Sequence, residues 1–344
     1  MDTAAIVAEA LMKYGPKYAK ISKETGVPTA TVRYILTKRF PKLGLSVRAA
    51  INCGFLGLQR YLVMIEPALP PKFTSNLLNV FGEFMYLTYY TYLTRQRKFM
   101  TIFTLPPKYF DNFIEFLNQL KSANIIADFE ASKLFYMKGL PFRVDCFNFR
   151  EGVWRQDWRE RDSWVPEIYE VPVNNSNISK IDLLILKELR KNVFIKYIDL
   201  AKILKLTRQT VKKHFEQAVK AVYMYAIFWF PPWNPETIAV PTIMTSHNIE
   251  EARRVLINVP YTFTEMRTAD KYLTFSVIPS IDFYKTIKYV NTKAVVSDID
   301  FPDMNNTLSF GIHPNLYSDK SGWLNPFDIG IEKILEEVGC RGHR

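Results

Sequence analysis

The sequence predicts an α+β fold: tandem (winged) helix-turn-helix domains, each followed by a ferredoxin-like βαββαβ domain, arranged as an internal pseudo-dimer. Three observations carry this. First, Tyr18-x-x-Ile21-Ser22-x-x-Thr25-Gly26-Val27-Pro28-x-x-Thr31-Val32 and Tyr197-x-x-Leu200-Ala201-x-x-Leu204-Lys205-Leu206-Thr207-x-x-Thr210-Val211 share one spacing of apolar, turn and helix-opening residues. Second, each is followed by segments of strand and helix periodicity in the same order. Third, the excess positive charge sits in the two helical segments. Of the net +11, residues 1–50 hold nine Lys or Arg against three acids and residues 176–220 hold eleven against four, so the remainder is slightly acidic.

Taken in order, Ile6, Ala10 and Leu11 at helical spacing predict a first helix over 2–14, stopped by Gly15-Pro16. Lys17–Glu24 and Pro28–Lys38 come next, with Phe40-Pro41 expected to end the third helix, and the stretch through Lys42, Gly44, Val47 and Arg48 predicts a wing or short connecting strand. Residues 51–150 read as strand Arg60–Glu66, helix Lys72–Phe84, strands Met85–Leu93 and Phe99–Leu105, helix Tyr109–Lys121 and strand Ile125–Phe135. A linker over 151–175 sets Trp154, Trp158 and Trp164 among alternating charges. That mixture predicts a strap packed on one half, with Arg stems lying on rings, in preference to a stacking platform for unpaired nucleic acid.

Residues 176–220 repeat the helical plan as Ile181–Lys191, Leu200–Leu204 and Thr207–Ala218. Residues 221–314 repeat the sheet plan: strand Tyr223–Phe230, helix Asn248–Ile257, strands Tyr261–Arg267 and Tyr272–Ile278, helix Ile281–Val290 and strand Ala294–Phe301. Phe99–Pro106 and Tyr272–Pro279 also match in sequence, so internal duplication explains the chain better than two unrelated domains. Residues 315–344 read as a C-terminal extension with a short helix.

Several classes are disfavoured. The apolar run 221–230 is too short to cross a bilayer, and the start lacks the basic flank of a secretory signal, so a cytoplasmic protein without a membrane partner is expected. Cys53, Cys146 and Cys340 are too scattered for a disulfide framework or a metal site, and His247, His313 and His343 are equally dispersed. Asp298, Asp300 and Asp303 read as an acidic strand edge before a cation site. No Gly-rich phosphate loop, nucleophile elbow or HExxH motif is present, so neither enzyme chemistry nor a cofactor is expected.

In the third helix Val32, Ile35 and Leu36 form the buried set, which turns Thr29, Ala30, Arg33, Tyr34 and Thr37 outward. In its counterpart Val211 and Phe215 point inward and Arg208, Gln209, Lys212 and Lys213 outward, while His214 falls near the packed side. Arg208 suits a guanine edge, Gln209 an adenine edge and Thr29 a thymine methyl. Lys17, Lys20, Lys38, Lys202 and Lys220 suit phosphates. Because one helix is small and hydroxyl-rich and the other basic, an asymmetric or weakly specific double-stranded DNA site is expected.

The helical pattern at 17–38, the Leu56-Gly57-Leu58 entry into the strand ending Glu66-Pro67, and the subsequent order of strands and helices resemble the Lrp/AsnC family of transcription regulators. The resemblance implies a DNA-binding regulator whose effector domains pair. Here one chain supplies both units, and a small-molecule effector and a further homodimer stay open. Two alternatives stand beside it. Lrp-like folds also occur in siroheme decarboxylases, tetrapyrrole enzymes in which Arg95, Arg97 or Arg267 would take substrate carboxylates. An architectural or polymerase-associated DNA-binding protein is the other.

Overall fold

The computed structural model describes residues 2–156, 169–173, 178–230, 239–293 and 295–328. The chain opens with three packed helices, α1 (Thr3–Tyr14), α2 (Tyr18–Thr25) and α3 (Thr29–Tyr34). Asp2 caps α1 by accepting from the Ala4 N–H at 2.8 Å and also pairs with Arg39 at 3.1 Å. Small residues let α1 lie close to its neighbours, and Ala4, Ala5, Val7, Ala8 and Leu11 are buried. At Gly15 the backbone takes φ +77°, and a Cβ there would come within 3.1 Å of the Tyr225 ring, so the turn needs glycine twice over.

The third helix runs further than expected. Phe40-Pro41 does not end it; the chain passes through a π-helical turn, Ile35–Arg39, into α4 (Phe40–Lys42). Pro41 brings no N–H to the helical ladder, and the widened turn, with the Phe40 N–H reaching the Ile35 carbonyl, absorbs that loss.

Of the two forms expected after α4, the segment takes the connecting strand and not the wing. Strand β1 (Leu45–Ile51) pairs antiparallel with the distant β9 (Val222–Trp229), Leu45 opposite Trp229 and Ala50 opposite Met224, as a two-stranded ribbon between the halves. The first sheet unit then runs β2 (Gln59–Pro67), α5 (Pro71–Phe84), β3 (Leu87–Leu93), β4 (Lys98–Leu105), α6 (Phe110–Ser122) and β5 (Ile126–Lys133), within a few residues of expectation. Past it come β6 (Tyr136–Gly139) and a miniature hairpin, β7 (Phe147–Asn148) with β8 (Val153–Trp154).

The second helical unit is α7 (Lys180–Lys191), α8 (Tyr197–Leu204) and α9 (Arg208–Ala218). A capping box opens α7, with Ser179 and Asp182 each accepting from the other's backbone N–H. Lys205, at φ +55°, takes the left-handed position that Gly26 fills in the first unit. The second sheet unit does not start where the sequence suggests. Tyr223–Trp229 lies in ribbon strand β9, with Phe230 just past its end, and the first sheet strand is β10 (Ala239–Ser246), followed by α10 (Ile249–Leu256), β11 (Thr262–Arg267), β12 (Tyr272–Pro279), α11 (Ser280–Thr292) and the short β13 (Asp298–Asp300). The chain continues as β14 (Pro302–Ser309) and a second miniature hairpin, β15 (Tyr317–Ser318) with β16 (Gly322–Trp323). The predicted C-terminal helix and the strap residues Trp158 and Trp164 lie outside the described residues.

Each sheet holds five strands, because each unit lends one to the other. The orders are β14-β3-β4-β2-β5 and β13-β10-β12-β11-β6, so β6 of the first unit edges the second sheet and β14 of the second edges the first. The sheets meet face to face through Leu62, Met100 and Ile102 against Ile243, Met266 and Leu273. The opposite faces carry the helices, and here the halves cross again. The first helical unit shares a core with Val255, Tyr261 and Val290 of the second sheet unit, and the second helical unit shares one with Phe81 and Phe103 of the first. Both miniature hairpins pin this crossing with a buried tryptophan. Trp154 lies edge-on to Trp229 and Tyr261 at 5.8 and 5.4 Å; Trp323 packs on Tyr86 and Tyr317 and donates to the Leu56 carbonyl at 2.9 Å. Sliding the halves apart would expose both cores at once.

Candidate nucleic-acid interface

Each third helix divides cleanly into a packed and an open face. In the first unit Val32, Ile35 and Leu36 are buried, whereas Thr29, Ala30, Arg33, Tyr34 and Lys38 are exposed. Tyr34 keeps 55% of its surface open, high for an aromatic side chain unless something covers it. Thr37 departs from expectation: it is half-buried, and its hydroxyl donates back to the Arg33 carbonyl at 2.8 Å, which commits the donor to the helix. Lys17 and Lys20 are exposed at the start and outer face of α2, the Lys20 ammonium 5.3 Å from the Tyr14 ring centre.

In the second unit Val211 is fully buried and Phe215 packs edge-on against Tyr197 at 4.9 Å, leaving Arg208, Gln209, Lys212 and Lys213 exposed. Thr207 opens α9 by accepting from the Thr210 N–H. Lys202 and Lys220 are exposed as well, Lys220 donating to Gln217 at 2.8 Å. His214 is partly packed: its Nδ1 sits 2.8 Å from Asp182 and 3.3 Å from Ser179, which ties α9 to the start of α7.

The electrostatics of these faces are one-sided. Among the described residues none of the cations Lys17, Lys20, Arg33, Lys38, Lys202, Arg208, Lys212, Lys213 and Lys220 forms an ion pair with a carboxylate, while the sheet units pair Lys98 with Glu66, Lys121 with Asp128 and Lys271 with Glu130. Unneutralised cations on exposed helix faces attract a polyanion and gain by releasing its counterions.

The two helical units also touch, which the sequence does not reveal. Tyr18 of α2 stacks on Phe194, in the α7–α8 loop, at 5.4 Å. Beside that contact a cleft of about 880 Å³ gathers Arg33, Lys38, Arg48 and Lys196 against the lone acid Asp199. Neither Arg48 nor Lys196 lies on a third helix, so neither stands out in the sequence as a site residue; the only signal is their sign within basic segments.

The remaining candidates fall elsewhere. Arg95 is held by Asp298 and by the Ile299 carbonyl, and Arg267 by Glu250 at 3.1 Å. Asp300 accepts from the Arg95 and Gln96 backbone N–H groups at 3.0 Å each, so this acid clasps the hairpin turn of the first unit to the second instead of guarding a strand edge. Asp303 accepts from Asn305 and Asn306. Cys53 and Cys146 are buried free thiols, and burial pushes the Cys53 thiol up to about 11, against the pull of Arg60. Cys340 and His343 lie outside the described residues. No described helix is long and apolar enough to cross a membrane.

Comparison with known proteins adds two findings. Residues 178–221 match the winged helix-turn-helix DNA-binding family. The crystal structure of the siroheme decarboxylase NirDL is similar over 99% of this chain and 100% of that one, with a TM-score of 0.54 at 9% identity. A second crystal structure of NirDL, in co-complex with an iron-uroporphyrin III analogue, covers 98% of each chain at 9% identity with a TM-score of 0.49. No curated protein sequence matches the chain. At such identity the likeness establishes a shared fold and nothing about chemistry.

Proposed function

We propose that the chain is a transcription regulator that binds double-stranded DNA, built as an internal pseudo-dimer of two Lrp/AsnC-like units. The observation that carries this is the pair of exposed third-helix faces whose cations have no carboxylate partners among the described residues. Duplication is supported by the recurring order of elements and by the reciprocal strands β6 and β14. In this reading Arg208, Gln209, Lys212, Lys213, Thr29, Ala30, Arg33 and Tyr34 face the groove, and Lys17, Lys20, Lys38, Lys202 and Lys220 hold phosphates. Arg48 and Lys196 add charge in the cleft between the units.

Fluorescence anisotropy with a labelled random-sequence duplex tests the reading. From about 50 to about 200 mM salt, affinity is expected to fall by roughly a thousandfold, as for a protein neutralising several phosphates. A salt-independent affinity, or none, contradicts it.

A second reading, a tetrapyrrole enzyme like the siroheme decarboxylase, is favoured by the fold shared along the whole chain. Against it, Arg95 and Arg267 are already paired with acids, which leaves the exposed Arg97 alone of the three candidate arginines. Incubation with siroheme separates the two: the regulator leaves the absorbance spectrum unchanged, the enzyme shifts and consumes it.

A further inference from the structure

Where the two sheets part at one end of their interface, they frame a half-open cavity of about 560 Å³. Its walls are apolar, with Tyr89, Met100, Met137, Met266 and Phe275 among them, yet four cations reach it. Two of these are neutralised in place: Arg60 by Glu170 at 3.1 Å and Lys138 by Glu265 at 3.2 Å. The other two, Arg48 and Arg190, have no carboxylate partner among the described residues. Arg190 reaches the Ser309 hydroxyl at 2.6 Å in a recess left by Gly311, where a Cβ would lie 3.0 Å from the guanidinium. Burial, and then the neighbouring charge of Arg48, lower the Arg190 pKa to about 10. No Asp, Glu or His lines the cavity among the described residues.

Two guanidinium groups without carboxylate partners beside an apolar hollow are an arrangement that an anion would complete. We propose that the cavity binds an organic anion of about twenty non-hydrogen atoms, a carboxylate on an apolar body, and that its occupancy fixes the two helical units relative to each other. The size is that of the part held within the walls at liquid packing, and the open side leaves room for more. The absence of a lining carboxylate disfavours amino acids, whose ammonium would find no counter-charge. The coupling comes from where the arginines sit. Arg48 lies on β1, directly after the first helical unit, and Arg190 in the last turn of α7 of the second. Arg48 and Phe230 line both this cavity and the basic cleft between the helical units, so the two spaces adjoin. The regulatory half of the proposal rests on the DNA-binding reading; the ligand half does not.

Anilinonaphthalene sulfonate, a fluorescent apolar anion, is the reporter, with decanoate, decylamine and leucine as competitors. Expected is bright binding displaced by decanoate and not by decylamine or leucine, with decanoate affinity lowered about tenfold in Arg190→Met and in Arg48→Met. Arg48 is on the exposed rim, so its variant keeps the test informative if the Arg190 variant fails to fold. A dark reporter, equal displacement by decylamine, or full decanoate affinity in Arg48→Met overturns the site. Duplex affinity measured with and without decanoate then tests the coupling: a change in wild type that Arg190→Met abolishes as well as Arg48→Met supports it, and an unchanged affinity despite bound decanoate overturns it. Failure to bind DNA at all would sink the regulator reading while leaving the ligand result standing.

Discussion

Replacing Arg208 and Lys212 together by alanine is expected to weaken duplex binding by about a hundredfold at low salt, the combined loss of two groove-facing cations. Both side chains are exposed, and they lie one turn apart on the open face of α9, where alanine is at least as good a helix former. The fold should therefore be unaffected, with the melting temperature of the double variant close to wild type. Two readouts, anisotropy and thermal melting, separate a lost contact from a lost fold. The salt slope should also become shallower by about one for each phosphate contact removed. An unchanged affinity would remove the second helical unit as a reader.

Glu265→Ala is expected to cost roughly 3–5 kcal/mol of stability, the largest effect of any single change considered, because it breaks a buried ion pair by removing the carboxylate. Glu265 is fully buried on β11 and accepts from the Arg253 guanidinium at 3.0 Å and the Tyr272 hydroxyl at 2.8 Å, with Lys138 at 3.2 Å. Lys138 belongs to β6, the strand the first half lends to the second sheet, so this ion pair ties the crossing. Arg253 retains solvent access and can rehydrate; Lys138, only 5% exposed, would keep the Tyr136 ring at 4.3 Å but lose its carboxylate. Glu265→Gln should cost less, since the amide oxygen still accepts. Urea denaturation measures both, and a loss below about 1 kcal/mol for Glu265→Ala would mean that water reaches Lys138 when its partner is gone.

Local features of this architecture were legible; exchanges between halves were not. Both helical units emerge from the spacing around Tyr18 and Tyr197, and the first sheet unit from alternation strong enough to mark each strand. The second unit misled because Tyr223–Phe230 carries the densest apolar run, whereas β10 contains Pro241 and reads as a poor central strand. Pro241 is tolerated because β13 pairs with β10 only from Ile243 onward, which leaves the proline on an open flank. Strands β6 and β14 leave their own units for sheets far away in sequence, and periodicity cannot name a distant partner. The miniature hairpins did leave a trace, Gly152-Val153-Trp154 against Gly322-Trp323, too short to stand out from the surrounding aromatics. The exposed faces of the third helices were legible because burial on one side of a helix sets exposure on the other. Arg48 and Arg190 come together only after folding, and neither has a local signature.

If one chain presents two recognition helices to one duplex, its footprint must show both. Hydroxyl-radical footprinting on a duplex selected from a random pool tests this most directly, comparing wild type with the Arg208→Ala/Lys212→Ala variant. Two adjacent protected segments of unequal sequence are expected, with the variant losing protection on one segment and keeping it on the other. A single protected segment, a strict palindrome, or a footprint indifferent to the variant would contradict the two-helix reading.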